Sequence, residues 1–417
     1  FFATRTPQPP PPPRPSRRRR CRQPPTAVVP MPPAYMLFLA LAHAPWAGAS
    51  ALACRSRLGP VSPVSRLQTS TIPRDSTRSL HHLSRRFGAQ ATETADAPVG
   101  RRSDKFGVVG RIYQRFFPKG SRKYETGSTV ANEYDAWTND GILEHYWGEH
   151  IHLGYYTPEE IAKGYKKKNF IGAKFDFIDR MVEWSGILDL PAGPKKVLDV
   201  GCGFGGTSRY LAKNYFQDGN VTGITISPAQ VARAQELAVE QGVPNAKFEL
   251  KDALAMDFPD NSFDVVWAIE SGEHMPSKTK YVEEMTRVLK PGGVLVFATW
   301  CQRPTPPIFN ERENNELQFL YDEWAHPHFV SIDTYKKIMR STGKLETVDS
   351  DDWNRYTLPS WRHSIWVGVY DPWIVLRKPW TWRKCLRDGI TLERMHRAFD
   401  KGLMQYGMLK AVKKADA

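Results

Sequence analysis

Four side chains in two separate stretches could accept or donate protons. Glu273 and His274 follow one another in ESGEHMP (270–276). His150 and His152 lie in a segment rich in aromatic residues, and their spacing puts both imidazoles on one side of an extended chain. Carboxylate and imidazole groups do much of the general acid–base work in enzymes. These four residues are therefore the candidate catalytic residues.

A glycine-rich turn is the second feature that could hold a reactive ligand. It lies in KVLDVGCGFGGTSRY (196–210), where a short apolar run precedes Gly201, Gly203 and Gly205. Glycine has no Cβ, so the backbone can turn sharply there and approach a ligand closely. A helix that begins after the turn offers free N–H groups to an electron-rich ligand. Such a turn fits a dinucleotide or S-adenosylmethionine, and the alternative is a turn whose glycines serve only packing.

Asp199 distinguishes the two ligands. Its carboxylate stands directly before the glycines, and the resulting D-x-G-x-G-x-G pattern resembles that of the S-adenosylmethionine-dependent methyltransferases. In those enzymes the carboxylate lies close to the positively charged methionine part of the cofactor. A dinucleotide site instead needs an acid at the end of the second strand, and VTGITI (221–226) ends without one. The resemblance therefore implies S-adenosylmethionine as the cofactor.

Residues that follow the next strands are predicted to complete the cofactor site. They are Thr225, Ser227, Gln230, Asp252, Ala253 and Glu270. The carboxyl ends of parallel strands face the ligand crevice of an open α/β sheet, which is the reason for the assignment. Two alternatives stay open: Ser227 only caps the following helix, and Asp252 is an acid of a surface loop.

Strands and helices alternate regularly from residue 196 onward. The predicted strands are 196–200, 221–226, 246–250, 263–269, 294–299, 344–349 and 362–369. This alternation predicts a largely parallel sheet with helices on both faces. The expected fold class is therefore α/β, a Rossmann-like, seven-stranded, mostly parallel sheet of the class I S-adenosylmethionine-dependent methyltransferase type. An aromatic N-terminal cap and a C-terminal lid are expected beside it.

Composition separates the first part of the chain from the rest. The 417 residues carry a formal net charge of +14, yet residues 1–92 hold 14 Arg, no Lys and one acid. Positive charge confined to this segment gives no argument for nucleic-acid binding. Five cysteines without paired spacing predict neither a disulfide framework nor a metal site. The expected domains are a leader (1–100), a helical cap (101–190), a methyltransferase core (191–370) and a C-terminal lid or membrane-surface segment (371–417).

The leader has three parts. Residues 1–30 are rich in Pro and Arg and are interpreted as translated upstream sequence, before a start at Met31 or Met36. Residues 35–53 form an apolar, signal-like core, and residues 55–90 have the Arg- and Ser-rich composition of a transit peptide. This order resembles the two-part leader of plastid proteins in algae with secondary plastids, which implies a plastid location. The alternative is an unordered N-terminal tail.

Several motifs resemble one enzyme family. ESGEHMP (270–276), RVLKPGG (287–293) and TWCQR (299–303) resemble the γ-tocopherol C-methyltransferase family. Residues 134–156 and LPSW (358–361) resemble its cyanobacterial-type relatives, which methylate 2-methyl-6-phytyl-benzoquinol. The resemblance implies methylation of a ring carbon of a phytylated or prenylated hydroquinone, or of a tocopherol, in vitamin E and plastoquinone biosynthesis. It does not choose between the two quinols.

Other functions stay open from the sequence alone. The chain could methylate a sterol or a small amine, or it could bind the cofactor without catalysis. A dehydrogenase is disfavoured by the missing acid after the second strand.

A long-tailed quinol substrate also implies a membrane nearby. No apolar run of 18 residues or more follows the leader, so the sequence predicts no membrane span there. The Trp- and Arg-rich stretch 371–397 is a candidate for a membrane-surface segment that admits the tail, and the alternative is a C-terminal cap over the sheet.

Overall fold

The computed structural model describes residues 128–324 and 326–416. The predicted leader (1–100) and the first part of the predicted cap (101–190) lie outside the described residues. The part that is described forms an α/β fold around one sheet of seven strands, which confirms the predicted fold class.

The central sheet organises the described chain. Its strands are β1 (Lys196–Val200), β2 (Asn220–Thr225), β3 (Ala246–Leu250), β4 (Phe263–Ile269), β5 (Leu289–Gln302), β6 (Leu345–Asp352) and β7 (Met404–Lys413). Their order is β3-β2-β1-β4-β5-β7-β6, and β7 runs antiparallel to both of its neighbours. Strands β1 and β4 are buried almost along their whole length, as parallel strands covered by helices on both faces must be.

Helices and loops connect the strands. The helices are α1 (Ser128–Asp140), α2 (Ile142–Trp147), α3 (Pro158–Ala162), α4 (Gly172–Ser185), α5 (Gly206–Asn214), α6 (Pro228–Glu240), α7 (Lys278–Val288), α8 (Glu311–Trp324), α9 (Ile332–Ser341), α10 (Asn354–Tyr370), α11 (Trp373–Leu376) and α12 (Trp382–Asp400). Neighbouring residues of β1, Val197 and Leu198, belong to two different apolar clusters. The core therefore has one layer on each face of the sheet.

The strand predicted at residues 362–369 is wrong, because these residues lie in α10. The aromatic and β-branched side chains of this stretch favour a strand when they are considered locally. In the folded chain α10 packs along α12 and buries Trp361 and His363, so tertiary contacts override the local preference.

The last strand lies in a segment that the sequence analysis assigns to the C-terminal lid. Residues 404–413 form β7, between β5 and β6, so the core sheet extends beyond residue 370. This strand is mostly buried and carries Lys410 and Lys413, so it lacks the alternation that reveals a half-exposed strand. The Lys413 ammonium donates to the carbonyl oxygens of Thr286 and Leu289, at 2.9 and 2.7 Å.

The fold brings the predicted functional segments to the carboxyl edge of the sheet. The glycine turn follows β1 and Glu270 follows β4, while the loop between α2 and α3 crosses the same edge. The backbone N–H of Leu153 donates to the Glu270 carboxylate at 2.8 Å, and that of Gly154 donates to the Ser360 hydroxyl at 2.9 Å. These bonds fix the cap loop to both the sheet and α10.

Candidate active site

The glycine turn after β1 has the backbone that only glycine adopts easily. Gly201, Gly203 and Gly205 have φ angles of 85°, 54° and 71°, in the left-handed region. A Cβ on Gly201 would lie 2.4 Å from the Cβ of Ser271, and one on Gly205 would lie 2.2 Å from the ring of Phe248. Both conformation and close packing therefore require glycine in this turn.

The loop after α2 packs directly on the start of α5. A Cβ on Gly206 would lie 2.4 Å from the backbone oxygen of Glu149. The buried Arg209 guanidinium donates to the Glu149 carboxylate at 2.6 Å and to the Phe204 carbonyl at 2.7 Å. Charge-assisted bonds of this kind are strong, so the ion pair holds the cap against the glycine turn.

Asp199 lies buried at the end of β1. Its carboxylate accepts a hydrogen bond from the Ser208 hydroxyl at 2.6 Å, and burial raises the pKa of Asp199 to about 7. A desolvated carboxylate gains from a cationic ligand, which stabilises its charged form. The position and the chemistry of Asp199 therefore fit the positively charged methionine part of S-adenosylmethionine.

At the end of β2 and just after it, Ser227 caps the following helix and Gln230 has an amide nitrogen that is unpaired in the described chain. Ser227 accepts from the backbone N–H of Gln230 at 3.1 Å, so its capping role is confirmed. The Thr225 hydroxyl donates to Gln230 Oε1 at 2.7 Å, whereas Gln230 Nε2 is buried and has no hydrogen-bond partner among the described residues. A ribose oxygen would satisfy that amide.

Asp135 of α1 is a residue that sequence reasoning missed. Its carboxylate accepts from the Ser227 hydroxyl and from the backbone N–H of Ala229. The cap thus places a carboxylate at the start of α6, from far away in the sequence. No spacing pattern could reveal it, because the contact depends on how α1 folds over α6.

The residues after β3 differ in exposure. Ala253 is buried, whereas Asp252 is exposed and its carboxylate accepts from the backbone N–H of Leu254 at 2.8 Å. This is the geometry of an acid in a surface loop, and contact of Asp252 with adenine stays a prediction.

Glu270 joins three parts of the molecule. It has a φ of 49°, which is uncommon for a residue with a side chain. Its Oε1 accepts from the Leu153 N–H at 2.8 Å and from the Tyr406 hydroxyl of β7 at 2.7 Å. Burial, with Glu273 nearby, raises the pKa of Glu270 to about 8. Glu270 anchors the cap loop to the sheet, and its contact with the cofactor stays a prediction.

Glu273 presents one unused carboxylate oxygen. Its Oε2 accepts from the Thr299 hydroxyl at 2.7 Å, while Oε1 is buried without a partner in the described chain. Burial raises the pKa of Glu273 to about 7. A buried carboxylate with a free oxygen and a pKa near neutrality is suited to general base catalysis.

His274 pairs with a tyrosine of the cap. Its Nε2 lies 2.9 Å from the Tyr134 hydroxyl, and burial lowers the pKa of His274 to about 3, so the imidazole is neutral near pH 7. Burial and two nearby carboxylates raise the pKa of Tyr134, so its phenol stays protonated and donates to the imidazole. The proton of His274 is then on Nδ1, which is buried and has no partner in the described ranges.

A buried lysine holds the turn that carries these two side chains. The Lys278 ammonium donates to the carbonyl oxygens of Gly272, Glu273 and Met275, at 2.8, 3.0 and 2.7 Å. Burial lowers the pKa of Lys278 to about 7. Three carbonyl acceptors around one ammonium fix the backbone of the turn, and therefore the directions of Glu273 and His274.

His150 and His152 face the same side of the extended loop, as predicted, with ring centroids 5.5 Å apart. They are buried against Phe175 and Phe177 of α4. Burial lowers the pKa of His152 to about 3, so it is a weak base. Among the described residues, no hydrogen bond or ring contact links either histidine to Glu273 or His274, and their catalytic roles stay predictions.

An aromatic cluster lies beside Glu273 and His274. We define it as Trp300, Trp324, His326 and Trp361. The Trp300 ring lies 6.2, 5.4 and 5.0 Å from the rings of the other three, and His326 lies 4.4 Å from His274. Each of the four carries a buried ring nitrogen that has no partner within the described chain. Unpaired buried polar atoms are rare in proteins, so their concentration here indicates a ligand site.

Only two of the four residues of this cluster lie in sequence motifs. Trp300 and Trp361 belong to the motifs TWCQR and LPSW. Trp324 and His326 lie at and just after the end of α8, in no motif, and nothing in their spacing predicts the contact with Trp300.

Comparison with known proteins agrees with the fold. Residues 198–297 match the family model described as a methyltransferase domain. The 2-methyl-6-phytyl-1,4-hydroquinone methyltransferase of Synechocystis sp. is 47% identical over 70% of this chain and 90% of its own length. The chloroplastic tocopherol O-methyltransferase of Arabidopsis thaliana is 34% identical over 66% of this chain and 79% of its own.

Solved structures show the same fold. Geranyl diphosphate C-methyltransferase from Streptomyces coelicolor, solved with S-adenosyl-L-homocysteine, has a TM-score of 0.55 and 19% identity over 70% of this chain and all of its own. The chain is an S-adenosylmethionine-dependent methyltransferase of class I. Within that class it belongs to the family of the 2-methyl-6-phytyl-hydroquinone and tocopherol methyltransferases.

The residues present fit S-adenosylmethionine, the cofactor of this class. The glycine turn admits a ligand close to the backbone, Asp199 offers a buried carboxylate, and Gln230 offers an amide nitrogen that is unpaired among the described residues. We expect the turn and Asp199 to hold the methionine part, and Thr225 with Gln230 to hold the ribose. Bound at this edge of the sheet, the cofactor supplies an electrophilic methyl group.

We predict that S-adenosylmethionine binds more weakly as the pH falls through 7. Protonation of Asp199, whose pKa is about 7, removes the charge that pairs with the cationic cofactor. Between pH 7.5 and 5.5 the Kd should rise about ten- to thirtyfold, as measured by titration calorimetry. Asp199→Asn should bind weakly at both pH values, whereas Asp218→Asn, at an exposed acid, should keep the wild-type profile. A pH-independent wild-type Kd would contradict the role of Asp199.

Proposed function

We propose that this chain transfers a methyl group from S-adenosylmethionine to a ring carbon of a phytylated or prenylated hydroquinone, or of a tocopherol. This reaction belongs to vitamin E and plastoquinone biosynthesis. Family membership supports the substrate class, since the cyanobacterial relative is by name a 2-methyl-6-phytyl-1,4-hydroquinone methyltransferase. One observation carries the proposal: Glu273 Oε1 is buried and unpaired among the described residues, on the turn whose Ser271 packs against Gly201 and whose His274 contacts the aromatic cluster.

Glu273 is the base that such a reaction needs. A ring carbon of a neutral phenol is a weak nucleophile, and the carbon ortho to a phenolate oxygen is a much stronger one. Glu273 Oε1 accepts the proton of a ring hydroxyl, which raises the electron density at the ortho carbon. After methylation that carbon loses its own proton, which restores the aromatic ring. Glu273 can accept this proton once it has returned the first one to the ring oxygen. His274, whose Nε2 already accepts from Tyr134, can only donate through Nδ1–H, and its catalytic role stays a prediction.

The aromatic cluster suits the flat ring of a quinol. Indole and imidazole rings offer apolar faces together with N–H groups at their edges. An aromatic wall also favours the cationic sulfonium of the cofactor. Alignment of the ring carbon with the methyl group supplies much of the rate enhancement, and a rigid cluster provides that alignment.

A labelling assay tests the proposed function. The full chain is incubated with methyl-labelled S-adenosylmethionine and, in parallel, 2-methyl-6-phytyl-1,4-hydroquinone, γ-tocopherol, a sterol and a small amine. We expect label in at least one of the two quinol-type substrates and none in the sterol or the amine. Cofactor binding without label in either quinol-type substrate would overturn the proposal.

Analysis of the product identifies the bond that forms. The Arabidopsis relative is named an O-methyltransferase, whereas our proposal places the methyl group on carbon. Carbon-13 resonance of the transferred group distinguishes an aryl methyl from a methoxy group. An aryl methyl is the expected result, and a methoxy product would contradict methylation of ring carbon.

We predict that Glu273→Gln lowers kcat/KM for the quinol by about 10²- to 10⁴-fold, because it removes the general base. In the wild type, at saturating S-adenosylmethionine, kcat/KM for the quinol should rise with pH through about 7, as the Glu273 carboxyl loses its proton. The variant should lose this rise, and its affinity for S-adenosylmethionine should be unchanged. Steady-state kinetics measures kcat/KM, and calorimetry measures the affinity for S-adenosylmethionine.

Glu283→Gln provides the matched control, since Glu283 is an exposed acid on α7. It should keep the wild-type rate and pH profile. A Glu273→Gln enzyme within about threefold of the wild-type rate would exclude Glu273 as the base.

We further propose that the chain works at the surface of a plastid membrane. The chloroplastic tocopherol O-methyltransferase suggests a plastid location for this family member as well. No helix within residues 128–324 and 326–416 is both long and apolar enough to cross a bilayer. Four large exposed aromatic side chains lie within residues 370–382, and we define them, Tyr370, Trp373, Trp380 and Trp382, as the aromatic patch.

The aromatic patch has the composition of a membrane-surface site. Its four side chains are 64, 52, 77 and 45% exposed, although large apolar side chains are normally covered. Residues 371–390 contain five basic and two acidic side chains. Exposed tryptophans beside basic residues favour the interface of an anionic bilayer.

The patch also lies close to the proposed substrate site. The Lys384 ammonium pairs with Asp140 of the cap and lies over the Trp137 ring, 5.8 Å from its centroid. Trp137 contacts Trp324 of the aromatic cluster, with 6.0 Å between ring centroids. Lys384, two residues after Trp382 of the patch, is therefore linked to the cluster through Trp137. A phytyl tail could remain in the bilayer while its ring reacts.

We predict that the protein binds phosphatidylcholine vesicles that contain phosphatidylglycerol, and that high salt weakens the binding. Trp373→Ser with Trp380→Ser should weaken it about tenfold or more, because two apolar side chains no longer enter the interface. Sedimentation with vesicles measures both effects. Val239→Ser, at an exposed apolar residue on α6, should bind like the wild type. Equal binding by the double variant would contradict the membrane-surface role.

A further inference from the structure

His326 is the member of the aromatic cluster that packing explains least. It is 2% exposed, and neither of its two ring nitrogens has a hydrogen-bond partner among the described residues. Its ring contacts are to His274 at 4.4 Å, to Trp300 at 5.4 Å and to Phe329 at 5.1 Å. An apolar ring would make the same contacts without burying polar atoms.

Two unpaired ring nitrogens are unusual for a buried histidine. A neutral imidazole always carries one N–H donor and one acceptor nitrogen. Burial, together with His274 and Lys278, keeps the pKa of His326 well below its ordinary value, so the ring is neutral near pH 7. A buried donor and acceptor that stay unpaired cost stability, and such groups are rare unless a ligand uses them.

The surroundings of His326 point to the ligand. Three neighbouring side chains, those of Glu273, His274 and His326, together carry four unpaired buried nitrogen or oxygen atoms. A hydroquinone has two ring oxygens on opposite sides of its ring. Glu273 serves one of them in the proposed reaction, and the second, if it enters the cluster, needs a hydrogen-bond partner of its own.

We propose that His326 is a substrate-binding residue that hydrogen-bonds the second ring oxygen of the quinol and so helps to select the ring carbon that is methylated. This inference rests on the proposed function and adds a specificity determinant to it. The indole N–H groups of the cluster can only donate, whereas imidazole can donate or accept. His326 can therefore bind either a hydroxyl or an ether oxygen at this position, the two forms that hydroquinones and tocopherols present.

Ligands that lack one oxygen test the pairing directly. Dissociation constants are measured by equilibrium dialysis in detergent micelles with S-adenosylhomocysteine present. The ligands are 2-methyl-6-phytyl-1,4-hydroquinone and the two phenols that each lack one of its hydroxyls. The wild type should bind the hydroquinone about tenfold more tightly than the phenol that lacks the oxygen facing His326.

Two substitutions separate binding from packing. His326→Phe keeps an aromatic ring and should lose this tenfold discrimination, while it binds the other phenol and S-adenosylmethionine like the wild type. His326→Gln restores hydrogen-bonding atoms and should recover part of the discrimination. His145→Phe, at a partly exposed histidine bonded to Asp371, should leave all constants unchanged.

The outcomes distinguish this inference from the proposed function. Unchanged discrimination in His326→Phe would overturn the role of His326, and so would an equal loss of affinity for all three ligands, which indicates a packing role. Both results leave the proposed function intact if the wild type methylates the hydroquinone. A wild type that neither binds nor methylates the hydroquinone would overturn the proposed function and the inference together.

Discussion

One carboxylate oxygen holds the parts of the active site together. Glu270 Oε1 accepts from the backbone of Leu153 in the cap loop and from the hydroxyl of Tyr406 in β7. The carboxylate belongs to the end of β4, so three segments that are far apart in sequence meet at one atom. The left-handed backbone of Glu270 is the conformational cost of delivering its side chain to this point. The cap loop then reaches the glycine turn, where Glu149 pairs with Arg209.

Burial decides which groups can exchange protons near neutrality. It raises the pKa values of Asp199 and Glu273 to about 7 and lowers those of His152 and His274 to about 3. Desolvation always favours the neutral form, which is the protonated state of a carboxyl and the deprotonated state of an imidazole. Of the four candidate catalytic residues, Glu273 is therefore favoured as the base. The histidines are favoured as neutral hydrogen-bonding groups.

Much of the fold could be predicted from the sequence, because strands β1 to β4 and their helices follow local patterns. The apolar run before Gly201 and the Pro at the start of α6 fix their elements within a few residues. The end of the sheet could not be predicted in this way. Residues 362–369 have strand-like composition but pack as a helix. Strand β7 lacks the alternation of apolar and polar residues that reveals a strand, because both of its faces are buried. Tertiary packing decides both cases.

The residues of the active site also fall into two groups, those that local motifs reveal and those that only tertiary packing brings to the site. Glu273, His274 and the glycine turn stand in local motifs that directly follow strands, so the sheet places them. Asp135 and Tyr134 reach the site only because α1 folds over the carboxyl edge. His326 reaches it because the chain after α8 turns back toward Trp300. Contacts of this kind depend on the whole fold, and no spacing along the sequence encodes them.

The proposed reaction requires the quinol ring to bind in the aromatic cluster with a ring hydroxyl on Glu273. A crystal structure of the protein with S-adenosylhomocysteine and 2-methyl-6-phytyl-1,4-hydroquinone would show whether it does. We expect a ring oxygen within about 3 Å of Glu273 Oε1, and a ring carbon ortho to that oxygen facing the cofactor sulfur. A quinol ring bound elsewhere, with Glu273 bonded only to Thr299, would exclude this binding mode.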